Sequence, residues 1–314
     1  MPFPSPCRSI GILSYPGAQL AAVHGLRDLL EAANRLRGQL PGPPASIEVR
    51  VLEGCEIPAA PWTALILPPS LSGGAPPEAA APLSRWLRAR HAEGTVICSV
   101  CAGAFLLAET GLLDGRPATT HWGLAQRFAE RFPGVALDAD KLLIDDGDLV
   151  TAGGFMAWVD LGLRLVGRYL GSEALLATAR FFLVDPGGRE QRFYSPFAPQ
   201  LTHGDAAILK VQHWLQKHSG GKVSLPMMAA RASLGERTFL RRFQKATGLN
   251  PGQYLQQLRV AKARDLLEQP HLAIDEVAWR VGYGDPSAFR KVFHKAMGLS
   301  PGEYRRRFAV ARQA

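Results

Sequence analysis

Up to about residue 185 the chain alternates short apolar runs with stretches whose apolar residues recur at helical spacing. Ile10-Gly11-Ile12-Leu13 is an apolar run closed by the turn signal Tyr15-Pro16-Gly17. Leu26, Leu29, Leu30 and Ala33 then fall at i, i+3, i+4 and i+7, which predicts a helix. Ser46 to Leu52 alternates, with Ile47, Val49 and Val51 on one face of a strand. Leu65-Ile66-Leu67 and Thr95-Val96-Ile97-Cys98 are two-sided apolar runs of the buried parallel-strand kind, with an Arg-rich helix, Pro82 to His91, between them. A hairpin turning at Asp145-Asp146-Gly147 is expected over Leu142 to Val150, followed by helices over Phe155–Tyr169 and Ser172–Val184. Strand–helix alternation of this kind predicts an α/β domain, a parallel sheet with helices on both faces.

The pattern then breaks. Asp185-Pro186-Gly187-Gly188-Arg189 and Ser195-Pro196-Phe197-Ala198-Pro199 carry turn and linker composition, which places a linker at about 186–204. From Asp205 onward the periodicity is helical throughout, so an all-α domain over 205–314 is expected to follow a domain over 1–190.

The helical part contains an internal repeat with a fifty-residue offset. Phe239-Leu240-Arg241-Arg242-Phe243-Gln244-Lys245-Ala246-Thr247-Gly248-Leu249-Asn250-Pro251-Gly252-Gln253-Tyr254 recurs as Phe289-Arg290-Lys291-Val292-Phe293-His294-Lys295-Ala296-Met297-Gly298-Leu299-Ser300-Pro301-Gly302-Glu303-Tyr304. Paired Phe residues four apart share one helix face. Gly248 or Gly298 supplies a left-handed helix end. Asn250 or Ser300 caps the next helix, with Pro251 or Pro301 at its first position. Upstream, Met228 to Gly235 parallels Val277 to Gly284, giving short helix, turn and second helix, twice: two helix-turn-helix units.

Charge sharpens this picture. Residues 1–200 hold 17 Lys+Arg against 19 Asp+Glu, whereas residues 201–314 hold 19 against 8, so the whole net charge of +9 sits in the helical part. Such asymmetry points to a nucleic-acid-binding module attached to a neutral one. With the Phe pairs inward, the outward face of the first recognition helix presents Arg237, Thr238 and Arg241, flanked by Leu240 and Arg242. The second presents Ser287, Ala288, Arg290 and Lys291. Arg is the usual bidentate partner of guanine. Lys210, Lys217, Lys222, Lys245 and Arg305-Arg306-Arg307 are expected at phosphates, which position without specifying.

The paired units with the tail Gly-Leu-Ser-Pro-Gly-Glu-Tyr resemble the AraC/XylS DNA-binding domain over about 205–310, and Val281-Gly282-Tyr283-Gly284-Asp285-Pro286-Ser287-Ala288-Phe289-Arg290 matches that family's most specific stretch. Gly235 and Glu236 depart from it, standing where the family prefers Ser and Pro, so the first unit loses a cap. The resemblance implies two recognition helices joined by one rigid helix, here about Gly252 to Glu268, entering successive major grooves of double-stranded DNA.

In the α/β part, Ile97-Cys98-Ser99-Val100-Cys101-Ala102-Gly103-Ala104-Phe105 runs from strand to helix. A Cys at such an elbow is expected above the sheet, at a helix N-terminus favouring its thiolate. Twenty residues on, His121-Trp122 offers an imidazole, so Cys101 and His121 form a candidate nucleophile–base pair. Cys98 and Cys101 also have redox or zinc spacing, but no second Cys pair or Cys/His cluster follows, so no metal or cofactor is expected. The stretch from Cys101 to Trp122 resembles the DJ-1/PfpI superfamily over about 8–185, which implies a flavodoxin-like fold. The whole chain is similar to regulators in which such a domain precedes an AraC-type one. In that superfamily's enzymes a carboxylate after the first strand supports the cysteine; here Gly17 to Ala22 holds no acid, and Ala22 stands at that position.

The expectation is therefore a regulator rather than an enzyme, binding DNA and a small effector, with Cys101, Ala102, His121 and Trp122 as ligand residues. The resemblance extends the effector class to amino acids or quaternary amines, for which Trp122, Trp158 and Phe155 could offer an aromatic wall, although core packing is the favoured reading of these rings. A homodimer through the first domain is expected, with RNA polymerase a further partner. The alternatives are a thiol hydrolase or glyoxalase-like enzyme with a DNA-binding tail, a redox sensor through Cys101, and a ligand bound elsewhere. No run reaches membrane-helix length, the opening MPFPSPCRSI lacks signal-peptide features, and four Cys without paired spacing fit a reduced cytoplasm.

Overall fold

A computed structural model describes residues 7–53, 61–71, 77–187, 189–195, 197, 199–269 and 271–309. Gly188, Pro196 and Ala198 of the expected linker lie outside the described residues. The chain divides into two units, Met1–Gln191 and Arg192–Ala314.

The first unit is built from β1 (Cys7–Ser14), α1 (Leu20–Arg37), β2 (Ser46–Glu53), β3 (Ala64–Leu67), α2 (Pro77–Ala92), β4 (Val96–Val100), α3 (Gly103–Ala108), β5 (Pro117–Ala118), α4 (Ala125–Arg131), β6 (Ala136–Leu137), β7 (Leu143–Asp145), β8 (Leu149–Ala152), α5 (Trp158–Leu170) and α6 (Ser172–Phe182). Its main sheet has the order β2-β1-β3-β4-β8-β7. All neighbours are parallel except the β7–β8 hairpin, which adds an antiparallel edge to the expected parallel sheet. Ala64 to Leu67 and Val96 to Val100 are buried at every position, as two-sided apolar runs require. The helices α1, α5 and α6 pack together over one face of this flavodoxin-like sheet, and α2 and α3 over the other. Leu26, Leu29, Leu30 and Ala33 of α1 are all buried, as their spacing predicts. Helix α5 begins at Trp158 rather than Phe155; the Gly153-Gly154 pair precedes it, and the Trp158 ring lies over Gly25 of α1, where a Cβ would sit 2.5 Å from it. Trp158 is thus a helix-packing residue.

The second unit contains α7 (Ala206–His218), α8 (Leu225–Arg231), α9 (Glu236–Thr247), α10 (Pro251–Leu267), α11 (Ile274–Arg280), α12 (Pro286–Met297) and α13 (Pro301–Phe308). The repeat is realised locally in each copy. Gly248 and Gly298 end α9 and α12 in the left-handed conformation at φ 72° and 70°. Asn250 with Gln253, and Ser300 with Glu303, form complete capping boxes at the starts of α10 and α13. Phe239, Phe243, Phe289 and Phe293 are fully buried, each contributing about 1.5–3 kcal/mol of apolar burial. They belong to two separate cores. Tyr254, Leu255 and Leu258 of α10 complete the core of the first helix-turn-helix lobe, and Val260, Ala263 and Leu267 that of the second. Among the described residues no helix is long and apolar enough to cross a membrane.

Candidate nucleic-acid interface and cysteine elbow

In the second unit, burial of Phe239 and Phe243 turns the opposite face of α9 outward, and Arg237, Thr238, Leu240 and Arg241 are exposed. On α12, burial of Phe289 and Phe293 does the same for Ser287, Ala288, Arg290 and Lys291. Each lobe therefore offers cations on a rigid helix whose back is fixed by aromatic packing. Arg242, expected beside them, turns to Asp205 instead. Its Nε and a terminal nitrogen donate to the two carboxylate oxygens at 2.9 and 2.7 Å. Asp205 also caps α7 by accepting from the Ile208 N–H, and the Arg242 hydrogen bonds hold its carboxyl below the usual range. Arg242 thus braces α9 against α7. Arg290 reaches Asp275 at 2.5 Å, but both side chains are about half exposed (47% each), and such a pair is readily exchanged for a phosphate or a base edge.

The two recognition helices start differently. Asp285 accepts from the Ser287 and Ala288 N–H groups at the start of α12. Gly235 leaves α9 without a side-chain cap, as its composition predicts. The turn before each helix contains a left-handed residue, Ser233 in the first lobe and Gly282 in the second.

In the first unit, Cys101 follows β4 with φ 54°, a left-handed conformation that a non-glycine residue adopts at a cost of about 1–2 kcal/mol. Its N–H donates to Ala152 O at 2.7 Å, and its carbonyl accepts from the Thr120 hydroxyl at 2.8 Å. Gly103 allows α3 to approach the end of β3, since a Cβ there would lie 2.5 Å from Leu67 O. The elbow therefore abuts the carboxyl ends of β3 and β8, and the strand order reverses one strand over, between β1 and β3; ligands of open α/β sheets bind at such a switch point.

The expected exposed thiolate is not what the elbow holds. Cys101 is 4% exposed, and burial pushes its thiol up to about 11, outweighing the Ala102 backbone hydrogen bond that lowers it. Tyr15 lies beside it, buried, with its hydroxyl donating to Pro68 O at 2.5 Å. Cys98 is fully buried, and its thiol is pushed up to about 12 by burial. Half-buried His121 does not hydrogen-bond Cys101 among the described residues. Its Nδ1 accepts from the Gly123 N–H at 3.0 Å, which caps the turn Trp122–Leu124, and burial lowers its pKa. Trp122 stacks obliquely on His121 at 5.1 Å. Ala102 is fully buried, and Ala22, at the position of the missing acid, is buried too.

Two residues in this region were not among the expected site residues. Gln19 leads into α1 and donates its N–H to Pro69 O at 2.7 Å. It is 8% exposed, and its Oε1 is buried without a partner among the described residues. Gln191, the last residue of the first unit, is 2% exposed. Its Nε2 donates to Thr119 Oγ1, Thr120 O and Lys141 O at 2.8–3.1 Å, and its Oε1 accepts from the Trp122 N–H. The gap in front of Gly153 is filled by this side chain. An apolar-to-polar break in the pattern could have flagged Gln19; the partners of Gln191 lie 50–72 residues away and leave no local mark.

Comparison with known proteins agrees with both halves. The DJ-1/PfpI family profile matches residues 45–168, and a helix-turn-helix domain profile matches residues 228–307. The HTH-type transcriptional regulator GbdR of Pseudomonas aeruginosa is 30% identical over 207 residues, covering 66% of this chain and 56% of GbdR. The chain thus spans little more than half the length of that relative. The HTH-type transcriptional regulator ArgR of the same species is 27% identical over 290 residues, covering 89% of this chain and 87% of ArgR. A crystal structure of an AraC family transcriptional regulator from Pseudomonas putida is 23% identical, covers 56% of this chain and all of that one, and has a TM-score of 0.48. The chain thus carries a DJ-1/PfpI domain followed by a helix-turn-helix domain, and across the two it is similar to HTH-type transcriptional regulators.

Proposed function

We propose that the protein is a sequence-specific transcription regulator, working as a cytoplasmic homodimer, whose first unit senses a small metabolite. The observation that carries the DNA half is the pair of aromatic-backed helices exposing Arg237, Thr238 and Arg241 on one lobe and Ser287, Ala288, Arg290 and Lys291 on the other. Its test is selection by the full chain from a random-sequence duplex library. Enrichment of one motif, lost on Arg241→Ala together with Lys291→Ala, supports the reading; no enrichment sinks it.

Sensing rather than catalysis is favoured at the elbow. The thiol is neutral at physiological pH, the imidazole nitrogen that accepts a hydrogen bond is already engaged, and Ala22 replaces the acid. The effector binds over the elbow at Cys101, Ala102, His121 and Trp122. The unpartnered Gln19 Oε1 asks for a donor, which an ammonium or amide N–H of an amino acid or amine supplies. A ligand at 100 times its Kd stabilises its domain by about 2.7 kcal/mol, visible in a thermal melt of the full chain. Amines and amino acids are expected to raise the melt and Gln19→Leu to abolish the rise; a hit confined to carboxylates without a donor would contradict this assignment.

A further inference from the structure

The two helix-turn-helix lobes have separate cores, and α10 changes from one to the other between Leu258 and Val260. Arg259 stands at that change. Its Nε donates to Ser219 O at 2.8 Å and a terminal nitrogen to Gly221 O at 3.0 Å, both in the segment between α7 and α8 of the first lobe. Its guanidinium lies 5.3 Å from the ring centroid of Tyr283, in the turn between α11 and α12 of the second lobe. The lobes meet beside it, backbone to backbone. A Cβ on Gly220 would lie 2.6 Å from Arg280 O, and one on Gly282 would lie 2.8 Å from the Arg259 guanidinium and 2.9 Å from Gly220 O. Gly282, at φ 94°, thus has two independent reasons to lack a side chain. Next to this seam opens a cleft of about 450 Å³ lined by Lys222, Met227, Trp279 and Tyr283.

Resting on the reading of the protein as a DNA-binding regulator, we infer that Arg259 is a positioning residue: it fixes the separation and relative rotation of the two recognition helices, and so the spacing between the two DNA segments that the chain accepts. A helix of 17 residues, about 25 Å long, is stiff along its axis but does not stop two lobes attached to its halves from rolling about it. Backbone contact at Gly220 and Gly282 limits approach but not separation. The hydrogen bonds and ring contact of Arg259 resist separation. Its cost also fits a positional role. The guanidinium is half-buried, burial pulls its pKa below the ordinary value, and carbonyls and a ring, rather than a carboxylate, are its partners. One base pair moves a contact by about 3.4 Å along the duplex and about 35° around it, so a small loosening at the seam spans a whole register step.

The test uses the full chain and the duplex it enriches from a random library, with the two protected segments located by footprinting. Inserting or deleting one base pair between them is expected to weaken wild-type binding by about 30-fold, the loss of one lobe's base contacts. In Arg259→Met the parent duplex binds about 5-fold more weakly and the spacing penalty falls to about 3-fold or less. Arg259→Lys, which keeps a donor and a charge, recovers part of the discrimination. Near-UV circular dichroism and thermal melts establish that each variant is folded. Should Arg259→Met not fold, Tyr283→Leu takes its place, because it removes the ring while leaving the bonds to Ser219 and Gly221, and a smaller relaxation of the same sign is expected. A folded variant that binds more weakly yet keeps the full spacing penalty overturns the inference, making Arg259 an ordinary stabilising residue. Failure of the wild-type chain to enrich any duplex overturns the regulator reading itself, and this inference with it.

Discussion

Cys101 combines a strained backbone with a smothered side chain. The strand–helix setting was legible from Cys98 to Phe105 alone, whereas the left-handed φ and the burial were not; the burial comes from Tyr15, the end of β3 and Ala152, all far away in sequence. Burial raises the thiol pKa, so the neutral form prevails below it, and with a pKa of about 11 roughly one thiol in a thousand is ionised at pH 8. Alkylation of Cys101 by iodoacetamide, followed on its peptide by mass spectrometry, should therefore rise about tenfold per pH unit up to pH 10. A rate that levels off below pH 8 would reveal an activated thiolate and reopen the enzymatic reading. On the exposed faces of α9 and α12, Arg241→Ala and Lys291→Ala should each remove about 1–3 kcal/mol of discrimination between the selected duplex and random DNA, measured by competition binding. Arg242→Ala is expected to act instead through stability, by freeing the Asp205 carboxylate.

The helices of the second unit were the most legible elements because their signals are local. Caps, left-handed glycines and Phe pairs act over three or four residues, so the repeat spelled out α9, α10, α12 and α13 almost to the residue. The start of α5 was less so, since it is settled by the packing of Trp158 on α1. The caps also set a measurable asymmetry between the two recognition helices. Asp285→Ala removes the acceptor of two N–H groups and should cost about 1 kcal/mol in a chemical denaturation experiment. Gly235→Ser places a hydroxyl where the backbone is extended and the Cβ meets nothing within 4 Å, and should stabilise by a few tenths of a kcal/mol. Equal effects at the two positions would mean that the cap hydrogen bonds are not what holds α12.

At the scale of the molecule, charge and chemistry are segregated. The balance of +11 over residues 201–314 predicts that log K for DNA falls linearly with log[salt], with a slope of about −0.9 per phosphate contacted. A slope near zero between 50 and 300 mM salt would disconnect the basic face from binding. The fold class, the order of the two units and the exposed cationic faces of α9 and α12 could be argued from sequence. Gln191 and Arg259 could not, because each owes its role to partners brought together only by folding. Gln191→Ala should destabilise the first unit by about 1–3 kcal/mol, since it strands the Trp122 N–H, read from chemical denaturation of the full chain followed by hydrogen exchange of first-unit peptides.

That same glutamine bears on where domains can be exchanged. By composition the boundary between the units falls anywhere in the linker at about 186–204, yet Gln191 is keyed into the wall formed by Thr119, Thr120 and Trp122. A recombination event, or a designer grafting a new sensor onto these DNA-reading lobes, must cut after residue 191. A cut a few residues earlier would leave an empty keyhole beside Thr119, Thr120 and Trp122.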